Sequence, residues 1–212
     1  MGGVAPVTPD ASRIPRVTLS KGTRLERVYR AFDAEGQPRS PWFFSARGIG
    51  AEGRFDLAPP KGTCYLAGDL DAAFAETFRG ALLIAHEDVE RRRALVATAM
   101  LKSEPWADLT SERATEAGVT LDLFGGSDYS ASQAIADQCF ESGDRGVVSL
   151  IRHQSHGTAR GYSLFGEAGP CDHPPEGWTV QTIGLRDCLD GLAPHLRARV
   201  RAVPRAMRPT NP

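Results

Sequence analysis

Arg54, Tyr65 and Glu76 follow one another at two equal intervals of eleven residues in the stretch GRFDLAPPKGTCYLAGDLDAAFAETF, residues 53–78. Their side chains offer complementary chemistry. A guanidinium is a planar, permanently charged donor suited to phosphate oxygens. An aromatic face can stack on a flat ring while its hydroxyl stays hydrogen-bonded. A carboxylate can stabilise a developing positive charge or orient a ligand hydroxyl. Brought to one cleft, the three could hold a phosphate-bearing ligand and act on a cationic centre within it.

Each residue has a different local setting. Arg54 stands at the mouth of the loop Ala58-Pro59-Pro60-Lys61-Gly62, where prolines forbid a continuing ladder and a turn is expected. Residues 63–67, Thr-Cys-Tyr-Leu-Ala, form a nearly unbroken apolar run, the pattern of a strand covered on both faces. Asp69 or Asp71 can cap a helix starting near Ala72, with Glu76 in its second turn. Each residue also has an ordinary reading: Arg54 as a turn ion pair with Asp56, Tyr65 as a core aromatic, Glu76 as a solvated helix position.

The 212 residues, 41% of them hydrophobic, suffice for one sizeable core. A net charge of −1 supplies no general attraction to nucleic acid or an anionic membrane. Any phosphate-bearing ligand must then be held by a few placed arginines. No apolar run approaches the ~20 residues needed to span a bilayer, and residues 1–10 lack the basic start and apolar core of a secretion signal. A soluble cytoplasmic protein is expected. Cys64, Cys139, Cys171 and Cys188 show no CxxC spacing, and His153 with His156 has no third ligand, so no metal site is expected.

Residues 1–22 have no period and are expected to form a disordered tail. Strands are expected at RLERVYRAF (24–32), at 94–101, at 146–153 and at 162–165. Trp42, Phe43 and Phe44 are expected to plug the core, and Gly48-Ile49-Gly50 is a weak hint of close backbone approach to a ligand. Asp128-Tyr129-Ser130 opens a helix in which Ala131, Ala134, Ile135, Gln138 and Cys139 share faces, and Gly143 ends it. A polar loop is expected over 154–161, a Pro-rich extension, packed on or trailing from the domain, over 167–212 with one short helix near 185–192, and a basic end over 197–208. Nothing repeats internally.

The segments RVYRAF, GRFD, GTCYLA, AAFAET, SDYSASQAIA, GVVSLIRH and YSLFG, in this order, resemble the RES domain family, which includes the toxins of Xre–RES toxin–antitoxin pairs. The resemblance covers residues 24–166. It implies a compact α+β domain over residues 23–166, similar to the ADP-ribosyltransferases, with central mixed and antiparallel sheets and flanking helices. It also implies cleavage of NAD+ at the nicotinamide–ribose bond by phosphorolysis or hydrolysis. The alternatives are ADP-ribosyl transfer to a protein and a non-catalytic nucleotide- or partner-binding module. NAD would be the substrate, phosphate a potential co-substrate, an Xre-type antitoxin the partner; a homo-oligomer is compatible with the resemblance. Motif by motif, Arg30 falls at the first-strand arginine, Arg54 at that of G-R-F, Tyr65 at the strand tyrosine and Glu76 at the helix glutamate. Arg30 and Arg54 would grip the pyrophosphate, Tyr65 would cover the nicotinamide, Glu76 would stabilise the ribose cation, and Arg152 or His153 would help place the nucleophile.

The family serine does not carry over. Where members read G-I-x-Y-x-S-R, residues 146–152 read GVVSLIR, which puts Ile151 at the serine in a gapless match. Ser149 is the alternative, on the same strand face but about 6–7 Å along it.

Overall fold

The computed structural model describes residues 9–49, 52–102, 104–153 and 158–202. The segments 1–8 and 203–212, and the first half of the loop expected over 154–161, including His156, lie outside the described residues, as do Gly50 and Ala51.

In chain order the strands and helices are β1 (Arg16–Thr18), β2 (Arg24–Arg30), β3 (Trp42–Phe44), β4 (Lys61–Ala67), α1 (Leu70–Thr77), β5 (Ile84–Ala85), α2 (His86–Glu90), β6 (Arg92–Ala99) and β7 (Pro105–Asp108). There follow α3 (Asp122–Gly125), α4 (Ser130–Glu141), β8 (Gly146–Leu150), β9 (Arg160–Glu167), β10 (Gly169–Cys171), β11 (Trp178–Gly184), α5 (Pro194–Arg197) and β12 (Val200–Arg201). Eight strands form one sheet in the order β1-β7-β8-β9-β4-β2-β6-β11. Only β7 and β8 run parallel within it, so the sheet is mixed and the fold is the expected α+β class.

Period-two alternation sorts the core onto the two faces of this sheet. Cys64 and Leu66 of β4 pack with Leu25, Leu95, Trp106 and Leu164 on one face. On the other, Ala67 joins a cluster with Phe74 of α1 and Leu196 of α5, while Tyr65 lies against a third cluster that includes Ile135 of α4. Burial on both faces explains why β4 reads as an unbroken apolar run. Helix α1 starts where the Asp69 carboxylate accepts the Ala72 amide at 2.7 Å, satisfying one of the helix's free N–H groups.

The pairing of β2 with β4 is reduced to one residue pair, Glu26 opposite Ala67. On their other sides β2 pairs with β6 over seven residues and β4 with β9 over seven. The two halves of the sheet therefore diverge on either side of that pair, and the divergence leaves a cavity.

The N-terminal segment differs from its expected state. The tail expected over 1–22 is part of the fold from residue 9: β1 pairs with β7, and Ile14 and Leu19 are buried. Arg16 bridges to Asp144 at 2.9 Å, a contact across 128 residues that no local pattern announces. At the other end, residue 166 falls inside β9, and β11 adds an edge strand along residues 93–99 of β6. The extension's described residues, 167–202, pack on the domain. Its short helix is a 3-10 turn, Leu185–Gly191. Strand β8 stops at Leu150, before the expected end at 153, because the chain turns at Arg152 and His153.

Candidate active site

A cavity of about 800 Å³ opens between the diverging strands, a size in the usual range for small-ligand sites. Tyr65 of β4, Glu76 of α1, Arg54 of the loop before β4, Ser149 at the end of β8 and Arg152 just beyond it all border it. Loop, strand and helix thus converge as their order in the chain suggested. Arg30 does not border the cavity. It ends β2 opposite Arg92 and is exposed, whereas Arg27, on the other pleat face of β2, does border it. The Arg27 guanidinium donates to the Phe43 carbonyl at 3.2 Å and also meets Cys64 Sγ.

The loop carrying Arg54 is built around a buried carboxylate. Asp56 is fully buried; it accepts the Gly53 amide at 2.6 Å, the Tyr65 hydroxyl at 2.7 Å and the Ser45 hydroxyl at 3.2 Å. Tyr65 in turn accepts the Phe55 amide at 2.9 Å. These bonds fold residues 53–56 back onto β4 and fix both the loop and the ring. Gly53 has to be glycine, because a Cβ there would collide with the Tyr65 hydroxyl and the Asp56 carboxylate. Burial, and after it the Asp56 charge, push the Tyr65 hydroxyl well above the usual tyrosine range.

Asp56 is thus engaged elsewhere, and among the described residues no carboxylate pairs with Arg54. Its guanidinium donates to the carbonyls of Leu123 at 2.9 Å and Gly126 at 3.3 Å, and lies 4.7 Å from the centre of the Tyr129 ring. Burial lowers its pKa, Tyr129 opposes this, and Arg152 and Glu76 are close enough to act in opposite directions. Arginine nonetheless stays charged. A desolvated, unneutralised guanidinium at a cavity wall is well suited to an anionic ligand.

Glu76 sits in the last turn of α1, where the helix macrodipole disfavours an anion. It is exposed, and its Oε1 accepts the backbone N–H of His153 at 3.1 Å. It forms no ion pair among the described residues. Ser149 is buried, and its Oγ has no hydrogen-bond partner among the described residues; it lies over Gly161, the cross-strand neighbour. Ile151 also borders the cavity but packs into the apolar cluster of Val28, Ala67 and Ala73. Ser149 is therefore the cavity's hydroxyl on this strand.

Several cavity residues were not singled out from sequence. Tyr129, within the SDYS segment, reads from sequence only as part of a helix start, and Asp56, which anchors the cavity loop from behind, only as a turn partner of Arg54. Arg27 was masked by the motif arginine three positions on. Glu26 adds a second carboxylate, raised in pKa by burial against the opposing influence of Arg24. Arg79 borders the cavity too, at a left-handed φ of 49°, a conformation costing about 1–2 kcal/mol outside glycine. In all, Arg27, Arg54, Arg79 and Arg152 face Glu26, Glu52 and Glu76, leaving the wall net positive. Among the described residues no cluster of potential metal ligands is present, and no helix is long and apolar enough to cross a membrane.

The comparison with curated proteins gives no match. Among solved structures the chain is similar to one described as the crystal structure of the M. tuberculosis MbcT-MbcA toxin-antitoxin complex, with a TM-score of 0.57 and 23% identity. That similarity covers 78% of this chain and 85% of the other and concerns the fold. In sequence, residues 27–175 match the model of the RES domain. This span holds β4, residues 27–30 of β2, the Asp56-anchored loop and every cavity residue named above except Glu26, and by it the chain belongs to the RES domain family.

Proposed function

We propose that the chain cleaves NAD+ at the bond between nicotinamide and ribose, by phosphorolysis or hydrolysis, and thereby acts as the toxic half of a toxin–antitoxin pair on the cytoplasmic NAD pool. The observation that carries this reading is the shared cavity, where an unpaired carboxylate, an anchored aromatic ring and unneutralised arginines face one another. Nicotinamide is cationic in NAD+ and leaves neutral, so its departure needs no general acid. What forms is an oxocarbenium-like ribose. Glu76 can stabilise that charge and orient a ribose hydroxyl. Arg27 and Arg54 suit the pyrophosphate, and the Tyr65 ring, its hydroxyl already satisfied, suits the flat nicotinamide. Ser149 can donate to a ribose or phosphate oxygen. The nucleophile, phosphate or water, would enter beside Arg152.

Family membership and the likeness to a toxin-antitoxin complex support a protein partner, which we take to be an antitoxin of the Xre type. Transfer of ADP-ribose to a protein acceptor is the second reading; the exposure of Glu76 favours it, since an acceptor side chain could reach that position. Incubating the purified chain with NAD+, with and without inorganic phosphate, separates the readings. Free nicotinamide with ADP-ribose 1″-phosphate or ADP-ribose supports degradation, and ADP-ribose attached to protein supports transfer. Binding without turnover would leave a non-catalytic module.

A further inference from the structure

Arg79 closes helix α1 in a position that glycine usually occupies. The Arg79 amide donates to the Glu76 carbonyl at 3.2 Å and the Gly80 amide to the Ala75 carbonyl at 3.2 Å. This is the double bond pattern of a Schellman cap, whose left-handed residue is commonly glycine. Here that residue is Arg79, at φ 49°, with Gly80 following at φ 71°. The strain is held in place from the preceding residue. Phe78 packs on Phe74, ring centres 4.6 Å apart, and carries the Arg92 guanidinium at 4.7 Å. A glycine would make the same turn without strain, so the turn itself does not call for an arginine side chain.

That side chain is exposed and, among the described residues, has no hydrogen-bond or ion-pair partner. It therefore does not serve as a structural tether. Its neighbourhood is the Glu76 end of the cavity. Arg79 borders the cavity, and a methyl group added at the adjacent Gly80 would lie 3.7 Å from His153 Nδ1. His153 is itself bonded to Glu76. Cap, histidine and carboxylate thus form one corner, in which Arg79 and Arg152 are the cations.

We propose that Arg79 binds a phosphate oxyanion at this corner, next to the carboxylate that faces the ribose. The assignment rests on the NAD-cleaving reading and deepens it. The oxyanion can be the incoming inorganic phosphate or a phosphate of the dinucleotide itself. Either source is recognised by the same charge-assisted hydrogen bonds.

The test uses the full chain with Arg79→Gly, which keeps the cap and relieves the strain, and Arg79→Lys, which keeps the charge. Melting temperatures for Arg79→Gly at or above wild type are expected, so lost binding cannot be assigned to misfolding. Loss of a charged donor to phosphate should weaken binding by about ten- to a hundredfold, with partial recovery in Arg79→Lys. A rise confined to the KM for phosphate identifies the incoming anion; a rise in the Kd for NAD+ identifies the dinucleotide. Failure of the underlying reading has its own signature, absence of nicotinamide release by the wild-type chain. Calorimetric affinities for NAD+ and inorganic phosphate then still decide the role of Arg79. Equal affinities in wild type and Arg79→Gly, with no shift in either KM, would overturn it.

Discussion

The Glu76 carboxylate accepts the backbone N–H of His153 at 3.1 Å, joining the last turn of α1 to the turn that follows β8, although the two residues are 77 positions apart. The contact separates the two jobs of this side chain. Glu76→Gln keeps an acceptor for His153 and removes only the charge. Because the residue is exposed, the variant should match wild type in thermal stability within about 0.5 kcal/mol, which a melting curve checks.

Arg54→Lys retains a positive charge and loses the fork. An ammonium cannot hold the Leu123 and Gly126 carbonyls and the Tyr129 face together as the guanidinium does. The expected outcome is a tenfold or greater loss in NAD+ affinity, read by titration calorimetry. Unchanged affinity would remove Arg54 from the pyrophosphate.

Arg27 and Arg30 lie on opposite pleat faces of β2, and only Arg27 borders the cavity. Arg27→Met should weaken NAD+ binding about tenfold or more. Arg30→Ala, at an exposed site, should change neither binding nor stability beyond about 0.5 kcal/mol. The reverse ranking in the same titration would return the pyrophosphate to Arg30.

Tyr65→Phe deletes the hydroxyl shared by Asp56 and the Phe55 amide and should cost about 1–3 kcal/mol of stability. It should also change the alkaline behaviour. The folded-state pKa of Tyr65 is raised above its unfolded value of about 10. The unfolded chain then ionises first, so this contribution is present below pH 10 and lost as pH rises above it. Melting temperatures from pH 8 to 11 should therefore fall more steeply for wild type than for Tyr65→Phe.

Ser149 lies within β8 and Ile151 one residue past its end, and their roles differ. Ser149→Ala should lower turnover with little loss of stability. Ile151→Ser should destabilise by about 2–4 kcal/mol, since it empties a site packed against Val28, Ala67 and Ala73. If Ile151→Ser instead raised turnover, the gapless alignment of this strand would be the right one.

What the sequence made legible was local. The Asp69 cap and the apolar run of β4 are contiguous signals, and they place Glu76 and Tyr65 correctly on helix and strand. The helix after Tyr129 and its end at Gly143, where φ is 83°, were equally plain from spacing. What escaped depends on distant pairing. The ordering of residues 9–22 rests on Arg16 reaching Asp144, and the anchoring of Arg54 on carbonyls about 70 residues away. Asp56 was read as a turn partner of its neighbour Arg54, when its partners are a hydroxyl on β4, a backbone amide and Ser45. The motif position of Arg30 does not reveal that it stands exposed at the far end of β2, past the Glu26, Arg27 and Val28 that border the cavity.

The central claim, that Glu76 drives scission of the nicotinamide–ribose bond, is tested most directly by the rate of nicotinamide release from saturating NAD+ by wild type and Glu76→Gln. A carboxylate acting on the transition state should leave the Kd for NAD+ nearly unchanged and lower the rate by about a thousandfold or more in the folded variant. Nicotinamide release by Glu76→Gln at the wild-type rate would contradict it.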